Sequence, residues 1–118
     1  MRRTLLGIAT VVFVMSNAAA YADARADAKA QLEFGVAVAQ KGLWREAIYR
    51  WKRAIEIDPT YAAAYNNLAV AYEQAGSIDE ARQAYQRALA LDPKNALIRQ
   101  NYEWFQEIHD RDGRRDVP

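Results

Sequence analysis

The sequence predicts an all-α fold, a short solenoid of two helix-turn-helix units followed by one capping helix. The first observation is a pattern that repeats after 34 residues, so that Gly42 recurs as Gly76. Pro59 recurs as Pro93 in the same way. Between these breakers the chain is rich in Ala, Leu, Gln, Glu and Arg, which favour helix. Apolar residues also recur three and four positions apart, which predicts one buried stripe per helix.

Composition limits the kinds of function that the chain can have. Its 118 residues suit a single domain, and the formal net charge of +1 gives no strong field that would recruit nucleic acid or anionic lipid. The absence of cysteine excludes disulfides, thiolate metal sites and a thiol nucleophile. We therefore expect no cofactor, no metal site and no nucleic-acid partner.

The first residues have the order of a secretory signal peptide. Arg2-Arg3 supply a positive start, and the apolar run Leu5–Met15 is followed by small residues. We predict that residues 1–24 form this leader and that it is cleaved after Ala20 or after Ala24. An uncleaved anchor is the alternative, and it would be the only membrane attachment, although the run is shorter than the roughly 20 residues that span a bilayer. The mature chain is expected in the periplasm, with full secretion as the alternative.

Turn signals and helix formers place the individual elements. Gly35 lies inside a helical pattern, where glycine costs about 1 kcal/mol relative to alanine, so we expect a neighbouring helix to pack closely there. Ala69 occupies the same position one period later. Ser77 with Glu80 predicts a capping box, and the charged segment 111–118 is expected to be disordered. The predicted helices are Ala26–Lys41, Trp44–Ile57, Ala62–Ala75, Ile78–Leu91 and Ala96–His109.

These units resemble the tetratricopeptide repeat, which has a period of 34 residues and the pattern W-x2-L-G-x2-Y, then A-x3-F, A and P. The second unit, residues 62–95, fills the pattern with Tyr65-x2-Leu68-Ala69-x2-Tyr72, Ala81-x3-Tyr85-x2-Ala88 and Pro93. The first unit, residues 28–61, fills it with Gln31-x2-Phe34-Gly35-x2-Val38, Ala47-x3-Trp51-x2-Ala54 and Pro59, and Gln31 departs from the expected apolar residue. Residues 96–110 then form a cap, because Glu103 replaces the small residue that a further helix would need.

The resemblance implies that the first helices of successive units line a concave groove for peptides or partner helices. Asn67 matches the asparagine that bonds the ligand backbone in peptide-binding members, whereas the lysine and arginine carboxylate clamp of some members is absent. Ala39, Gln40 and Glu107 belong to the same face, and Glu73 with Glu107 would favour a basic ligand. The candidate groove residues are Leu32, Val36, Asn66, Asn67, Val70, Glu73, Gln74, Asn101 and Trp104.

Two further features allow more than one interpretation. Leu97, Trp104 and Ile108 form a second apolar stripe on the cap. Trp104 either folds over the end of the groove or contacts a partner or a second copy of the chain, because tryptophan is a favoured anchor. The end of the first helix and the second helix are basic, which is typical of a solvated face and alternatively suits an acidic partner.

Nothing in the sequence predicts catalysis. His109 is the only histidine and lies near a helix end, where a structural or solvent role is favoured over an acid–base role, and there is no glycine-rich phosphate loop. The sequence therefore predicts a non-catalytic adaptor of the cell envelope that binds a protein or peptide partner. The alternative is a structural protein that forms homo-oligomers through its exposed repeat ends, since two units are few for a solenoid.

Overall fold

Between residues 2 and 111, five α-helices follow one another, and each packs on the next. The computed structural model describes residues 2–111, with the side chains described from residue 17 onward. No strand occurs in this part of the chain, and the predicted all-α class is confirmed. The helices are α1 (Arg2–Gln40), α2 (Trp44–Ile57), α3 (Ala62–Gln74), α4 (Ile78–Leu91) and α5 (Ala96–His109).

The first helix differs from its prediction. It was expected to begin at Ala26, but α1 begins at Arg2 and runs through the predicted leader for 39 residues. The leader holds six alanines and no proline, so it contains no helix breaker stronger than Gly7. Cleavage after Ala20 or Ala24 stays a prediction. Within residues 2–111, no helix combines the length and the apolar character needed to cross a membrane.

The two hairpin turns are built alike. Gly42 and Gly76 have φ angles of 79° and 76°, a left-handed conformation that glycine adopts without strain. After α1, the Leu43 amide donates to the Val38 carbonyl at 3.0 Å and the Gly42 amide donates to the Ala39 carbonyl at 2.9 Å. The same pair of hydrogen bonds follows α3, so both turns are Schellman motifs. These motifs send α2 and α4 back along the preceding helices.

Close packing within the first unit depends on Gly35. The indole of Trp51 lies directly over it, and a Cβ atom built on Gly35 would sit 2.7 Å from Trp51 Cδ1. The indole Nε1 donates to the Leu32 carbonyl at 3.1 Å, which holds α2 against α1. Trp51 is only 3% exposed. The expected close approach at Gly35 is therefore present, and Ala69 at the equivalent position is fully buried.

Helix capping corrects one expectation. The predicted capping box does not form, because the Ser77 side chain makes no cap hydrogen bond. The second Schellman motif instead uses the Ser77 amide, which donates to the Tyr72 carbonyl at 2.9 Å. A cap that was not predicted lies before α5, where Asn95 Oδ1 accepts from the amides of Leu97 and Ile98 at 3.1 and 3.2 Å.

Asp58, the C-cap of α2, makes the hydrogen bonds that stabilise the junction between the two units. Its Oδ1 accepts from the Thr60 amide at 3.0 Å and from the Thr60 hydroxyl at 2.6 Å. The hydrogen bond from the Thr60 hydroxyl is the main reason that the pKa of Asp58 lies below its ordinary value. Arg25 of α1 also pairs with this carboxylate and packs over the ring of Tyr61. These contacts fix the start of the second unit against the first.

The last helix covers the open side of the second unit with aromatic side chains. The Phe105 ring lies 5.3 Å from the Tyr85 ring and 6.1 Å from that of Tyr102, and both Phe105 and Ile98 are buried. This packing is what a terminal helix needs to cover the last apolar face of a repeat array. Of the segment predicted to be disordered, residues 112–118 lie outside the described residues.

Candidate functional site

A cavity of about 470 Å³ opens between α1, α3 and α5, with the start of α2 at its edge. It combines residues from both units and from the cap, so no single repeat could form it alone. None of its lining residues is ionisable. The lining consists of Val36, Ala39, Gln40, Trp44, Trp51, Asn66, Asn67, Val70, Leu97 and Asn101.

The cavity has an apolar floor and an open aromatic rim. The apolar inner surface of the cavity is formed by Trp51, Val36 and Val70. Trp51 is almost fully buried against α1. At the rim, Trp44 is 39% exposed and Leu97 is 62% exposed. Large apolar side chains that stay half in water beside a concave surface are typical of a binding site.

Side-chain amides supply the polar groups of the cavity. Asn101 Nδ2 donates to Asn66 Oδ1 at 3.1 Å, a hydrogen bond that joins α5 to α3 across the cavity wall. Asn66 is buried, so this bond satisfies a carboxamide oxygen that water does not reach freely. Among residues 17–111, no hydrogen bond uses the side-chain amides of Gln40 and Asn67 or the indole N–H of Trp44. These groups are therefore available to a ligand.

Five of the nine predicted groove residues line this cavity: Val36, Asn66, Asn67, Val70 and Asn101. The other four lie elsewhere. Leu32 packs into the core between α1 and α2, and its carbonyl accepts from the Trp51 indole. Gln74 is exposed near the end of α3 and does not line the cavity.

Glu73 is held by its own chain rather than presented to a ligand. Its Oε2 accepts from the Tyr85 hydroxyl at 3.1 Å, and its Oε1 lies 3.4 Å from His109 Nε2. Burial, followed by the charge of Glu73, raises the pKa of Tyr85 far above its ordinary value, so the phenol remains a donor. His109 packs on the ring of Phe105 at 4.7 Å. The expectation that Glu73 would attract a basic ligand is therefore corrected, because its carboxylate is already engaged.

Trp104 does not fold over the groove. It is 56% exposed and stands outside the cavity lining, beside Ile108, which is similarly exposed. The structure thus leaves the second stripe of the cap, Leu97 with Trp104 and Ile108, open to solvent on one face of α5.

Three lining residues, Trp44, Trp51 and Leu97, were not identified from the sequence. Trp44 begins α2, and only the first helices of each unit were considered as groove elements. Its spacing of seven residues from the core residue Trp51 places both on one face of α2, which is the signal that could have identified it. Leu97 was recognised as part of the cap stripe but not as a wall of the cavity.

The basic surface of α2 is partly neutralised within the chain. Arg50 Nε donates to Glu46 Oε1 at 2.9 Å, and its guanidinium lies 4.3 Å from the centre of the Phe34 ring. Arg53 pairs with Glu56. These contacts fit the solvated-face interpretation of this helix.

Comparison with known proteins gives two family matches. A model described as tetratricopeptide repeat matches residues 62–95, and one described as TPR repeat matches residues 35–76. Together the two matches span more than half of the chain. No curated protein matches the chain significantly.

A solved structure of PilF from Pseudomonas aeruginosa is similar to this chain, with a TM-score of 0.72 and 30% sequence identity. The similarity covers 75% of this chain, and the chain spans 40% of the length of the PilF chain.

Proposed function

The chain belongs to the tetratricopeptide repeat family, and from this premise we propose that it is a non-catalytic adaptor that holds a segment of a partner protein. Repeats of this family serve as protein–protein interaction modules. The proposed binding site is the cavity between α1, α3 and α5. The observation that carries the proposal is an uncharged cavity of about 470 Å³ whose rim tryptophan and two amides have no hydrogen-bond partner among residues 17–111.

The cavity chemistry supports a protein ligand over a small charged metabolite. Its apolar floor suits a hydrocarbon side chain, and burying such a side chain contributes about 1.5–3 kcal/mol. The amides of Gln40 and Asn67 suit the N–H and C=O groups of a peptide backbone, because a carboxamide both donates and accepts. The absence of ionisable groups in the lining gives no counter-charge for a phosphate or a carboxylate.

The cell envelope is the proposed location. It rests on the order of the first 24 residues: a basic start, an apolar run and small residues before Ala20 and Ala24. The mass of the chain purified from a Gram-negative host that expresses the whole coding sequence tests this. A mature mass that starts at Tyr21 or Arg25 is expected, and an intact chain recovered from the cytoplasm would refute export.

Photo-crosslinking tests the adaptor function. A photoreactive residue replaces Asn67 inside the cavity, and a matched chain carries it at Gln83, an exposed residue of α4 that lies outside the cavity. We expect an adduct with one envelope protein from Asn67 only, and we expect Trp44→Ala to abolish it. Equal adducts from both positions, or an adduct that survives Trp44→Ala, would contradict binding in the cavity.

Self-association is the second candidate function, and the exposed stripe of Leu97, Trp104 and Ile108 on α5 favours it. A second copy that covered this stripe would bury three large apolar side chains. Sedimentation of the purified chain across a range of concentrations tests it, with Trp104→Ala as the matched variant. A chain that remains monomeric at every concentration would eliminate this function.

A further inference from the structure

A further pocket, of about 420 Å³, opens between α3 and α4 and shares no lining residue with the cavity described above. The buried side chains of Leu68 and Ala84 give it an apolar floor. Glu80 is the only carboxylate in the lining, and it is exposed to solvent. The lining consists of Tyr65, Leu68, Tyr72, Glu80, Gln83, Ala84 and Arg87. The pocket therefore offers apolar and aromatic surface beside one negative charge.

The repeat places an equivalent of every lining position in the first unit, 34 residues earlier on α1 and α2. Glu46 corresponds to Glu80, so both units carry a carboxylate here. Arg50 corresponds to Ala84, so the long side chain of the first unit is missing from the second. The other equivalents are Gln31, Phe34, Val38, Tyr49 and Arg53. The first unit therefore shows which side chain occupies this place when one is present.

The Arg50 side chain lies between the two helices of the first unit. Its guanidinium carbon is 4.3 Å from the centre of the Phe34 ring, and its Nε donates to Glu46 Oε1 at 2.9 Å. A terminal nitrogen donates to Gln31 Oε1 at 3.4 Å. The side chain is only 30% exposed, so its methylene groups are largely covered. A ring, a carboxylate and a further oxygen thus hold one guanidinium.

The second unit keeps these partners without the arginine. Ala84 ends at Cβ, so the space that Arg50 takes in the first unit is open in the second. Among residues 17–111, no hydrogen bond or ion pair uses the Glu80 carboxylate. Tyr65 stands in place of the glutamine and supplies both a phenol oxygen and a ring on which a guanidinium can stack. The open pocket is therefore complementary to an arginine side chain.

Two cations lie near the edge of the pocket. The guanidinium of Arg87 and the ammonium of Lys52 are each 5.9 Å from the centre of a tyrosine ring that lines it. Both repel a further cation. Arg53 occupies the position of Arg87 in the first unit, where Arg50 is nevertheless held. A cation at this position therefore lowers the affinity for a guanidinium without excluding it.

We propose that the pocket between α3 and α4 binds an arginine side chain of a partner protein. The guanidinium pairs with the Glu80 carboxylate and stacks on the Tyr65 ring. The methylene groups of the arginine cover Leu68 and Ala84. This site goes beyond the proposed function, because it is separate from the cavity and takes a charged side chain instead of an apolar one.

Four blocked peptides test the inference by NMR titration of the purified chain, followed at the amide signals of the residues that line the pocket. Each peptide carries one central residue between alanines: arginine, its uncharged analogue citrulline, lysine or glutamate. We expect the arginine peptide to bind at least about tenfold more tightly than the citrulline peptide, because a charge-assisted hydrogen bond is roughly twice as strong as a neutral one. The lysine peptide should bind several-fold more weakly than the arginine peptide, since an ammonium does not stack as a planar group. Equal binding of the citrulline peptide, or preference for the glutamate peptide, would overturn the inference.

Variants of the chain then locate the contact. Glu80→Gln should weaken binding of the arginine peptide by about tenfold. Asp79→Asn is the matched control, because Asp79 is an exposed carboxylate of the same helical turn that does not line the pocket, and it should leave the affinity unchanged. Arg87→Gln should strengthen binding, since it removes a like charge. Weaker binding in Arg87→Gln, or equal losses in the two carboxylate variants, would contradict the proposed site.

Ala84→Arg gives the second unit an arginine of its own. If the two pockets are equivalent, the new side chain pairs with Glu80 as Arg50 pairs with Glu46. The melting temperature should then stay the same or rise, and the arginine peptide should no longer bind. A large fall in the melting temperature would show that the pocket does not accept an arginine, and unchanged peptide binding would place the peptide elsewhere.

The same variant separates this site from the cavity. Gln83 lines the pocket, so Ala84→Arg is added to the chain that carries the photoreactive control residue at position 83, where it closes the pocket. Failure of the peptide tests leaves the adaptor function untouched, because the pocket and the cavity share no residue. Self-association of the purified chain that Glu80→Gln abolishes in sedimentation would assign the arginine to a second copy and overturn the proposal of a separate partner.

Discussion

Replacing Gly35 with alanine tests the packing that joins α1 to α2. Alanine normally stabilises a helix interior by about 1 kcal/mol relative to glycine. Here the new Cβ would lie 2.7 Å from Trp51 Cδ1, and the indole is held by its hydrogen bond to the Leu32 carbonyl. Overpacking of this kind costs about 1–3 kcal/mol, and displacing the indole adds about 1 kcal/mol for the lost bond. We therefore expect Gly35→Ala to lower the free energy of unfolding by about 1–3 kcal/mol.

Urea unfolding followed by circular dichroism measures this change, provided that the slope against urea stays constant. The Trp51→Phe background is the control, because phenylalanine is smaller and donates no hydrogen bond. In that background Gly35→Ala should be neutral or should stabilise, giving a coupling free energy between the two positions. If Gly35→Ala raised the stability of the otherwise unchanged chain, the close packing inferred at this contact would be wrong.

Four further substitutions test the helix ends and the titrating groups. Asn95→Ala removes the two cap hydrogen bonds of α5 and should lower the free energy of unfolding in urea by about 1 kcal/mol. Ser77→Ala, the control, should change this free energy by less than about 0.5 kcal/mol. Equal effects of the two substitutions would contradict the cap assignment. The hydrogen bond from the Thr60 hydroxyl holds the pKa of Asp58 below 3.8. The ionised Asp58 carboxylate therefore contributes stability above pH 3.8, and this stability is lost as the pH falls through the lowered pKa. In Asp58→Asn the melting temperature should fall less steeply over this acid range, and an unchanged profile would count against the interaction. Burial raises the pKa of Tyr85 above 10.0, so the neutral phenol contributes stability below pH 10 that is lost at higher pH. In Tyr85→Phe the melting temperature should therefore fall less steeply as the pH rises above 10. A fall as steep as in the unchanged chain would exclude Tyr85 as the source of this pH dependence.

The repeat period was enough to predict most of the architecture. The bounds of α2, α4 and α5 agree with the sequence expectation because turn residues such as Gly42 and Gly76 mark their limits locally. The start of α1 could not be predicted in this way. The leader holds six alanines and no proline, so no strong helix breaker separates it from the domain.

The candidate site was less predictable, because side-chain direction depends on neighbours in space. The resemblance to the repeat family, carried across by spacing, implied that Val36 and Val70 line the groove, and both line the cavity. Glu73 obeys the same period but turns to the Tyr85 hydroxyl, a partner on another helix that spacing cannot show. The Asn95 cap was not predicted, although asparagine is a typical N-cap residue. The capping-box pattern pointed to Ser77 instead, but Ser77 forms its turn through its backbone amide and not through its side chain.

The Asn101–Asn66 hydrogen bond has a dynamic consequence. In a linear array each helix is held only by its neighbours, so the terminal helix opens locally with less free energy than global unfolding requires. When α5 opens, the bond breaks and the cavity loses the wall that carries Leu97. Amide hydrogens of α5 should therefore exchange faster than those of α3. A ligand in the cavity should slow that exchange, because it binds only the closed array, and hydrogen exchange of the last helix becomes a direct measure of occupancy.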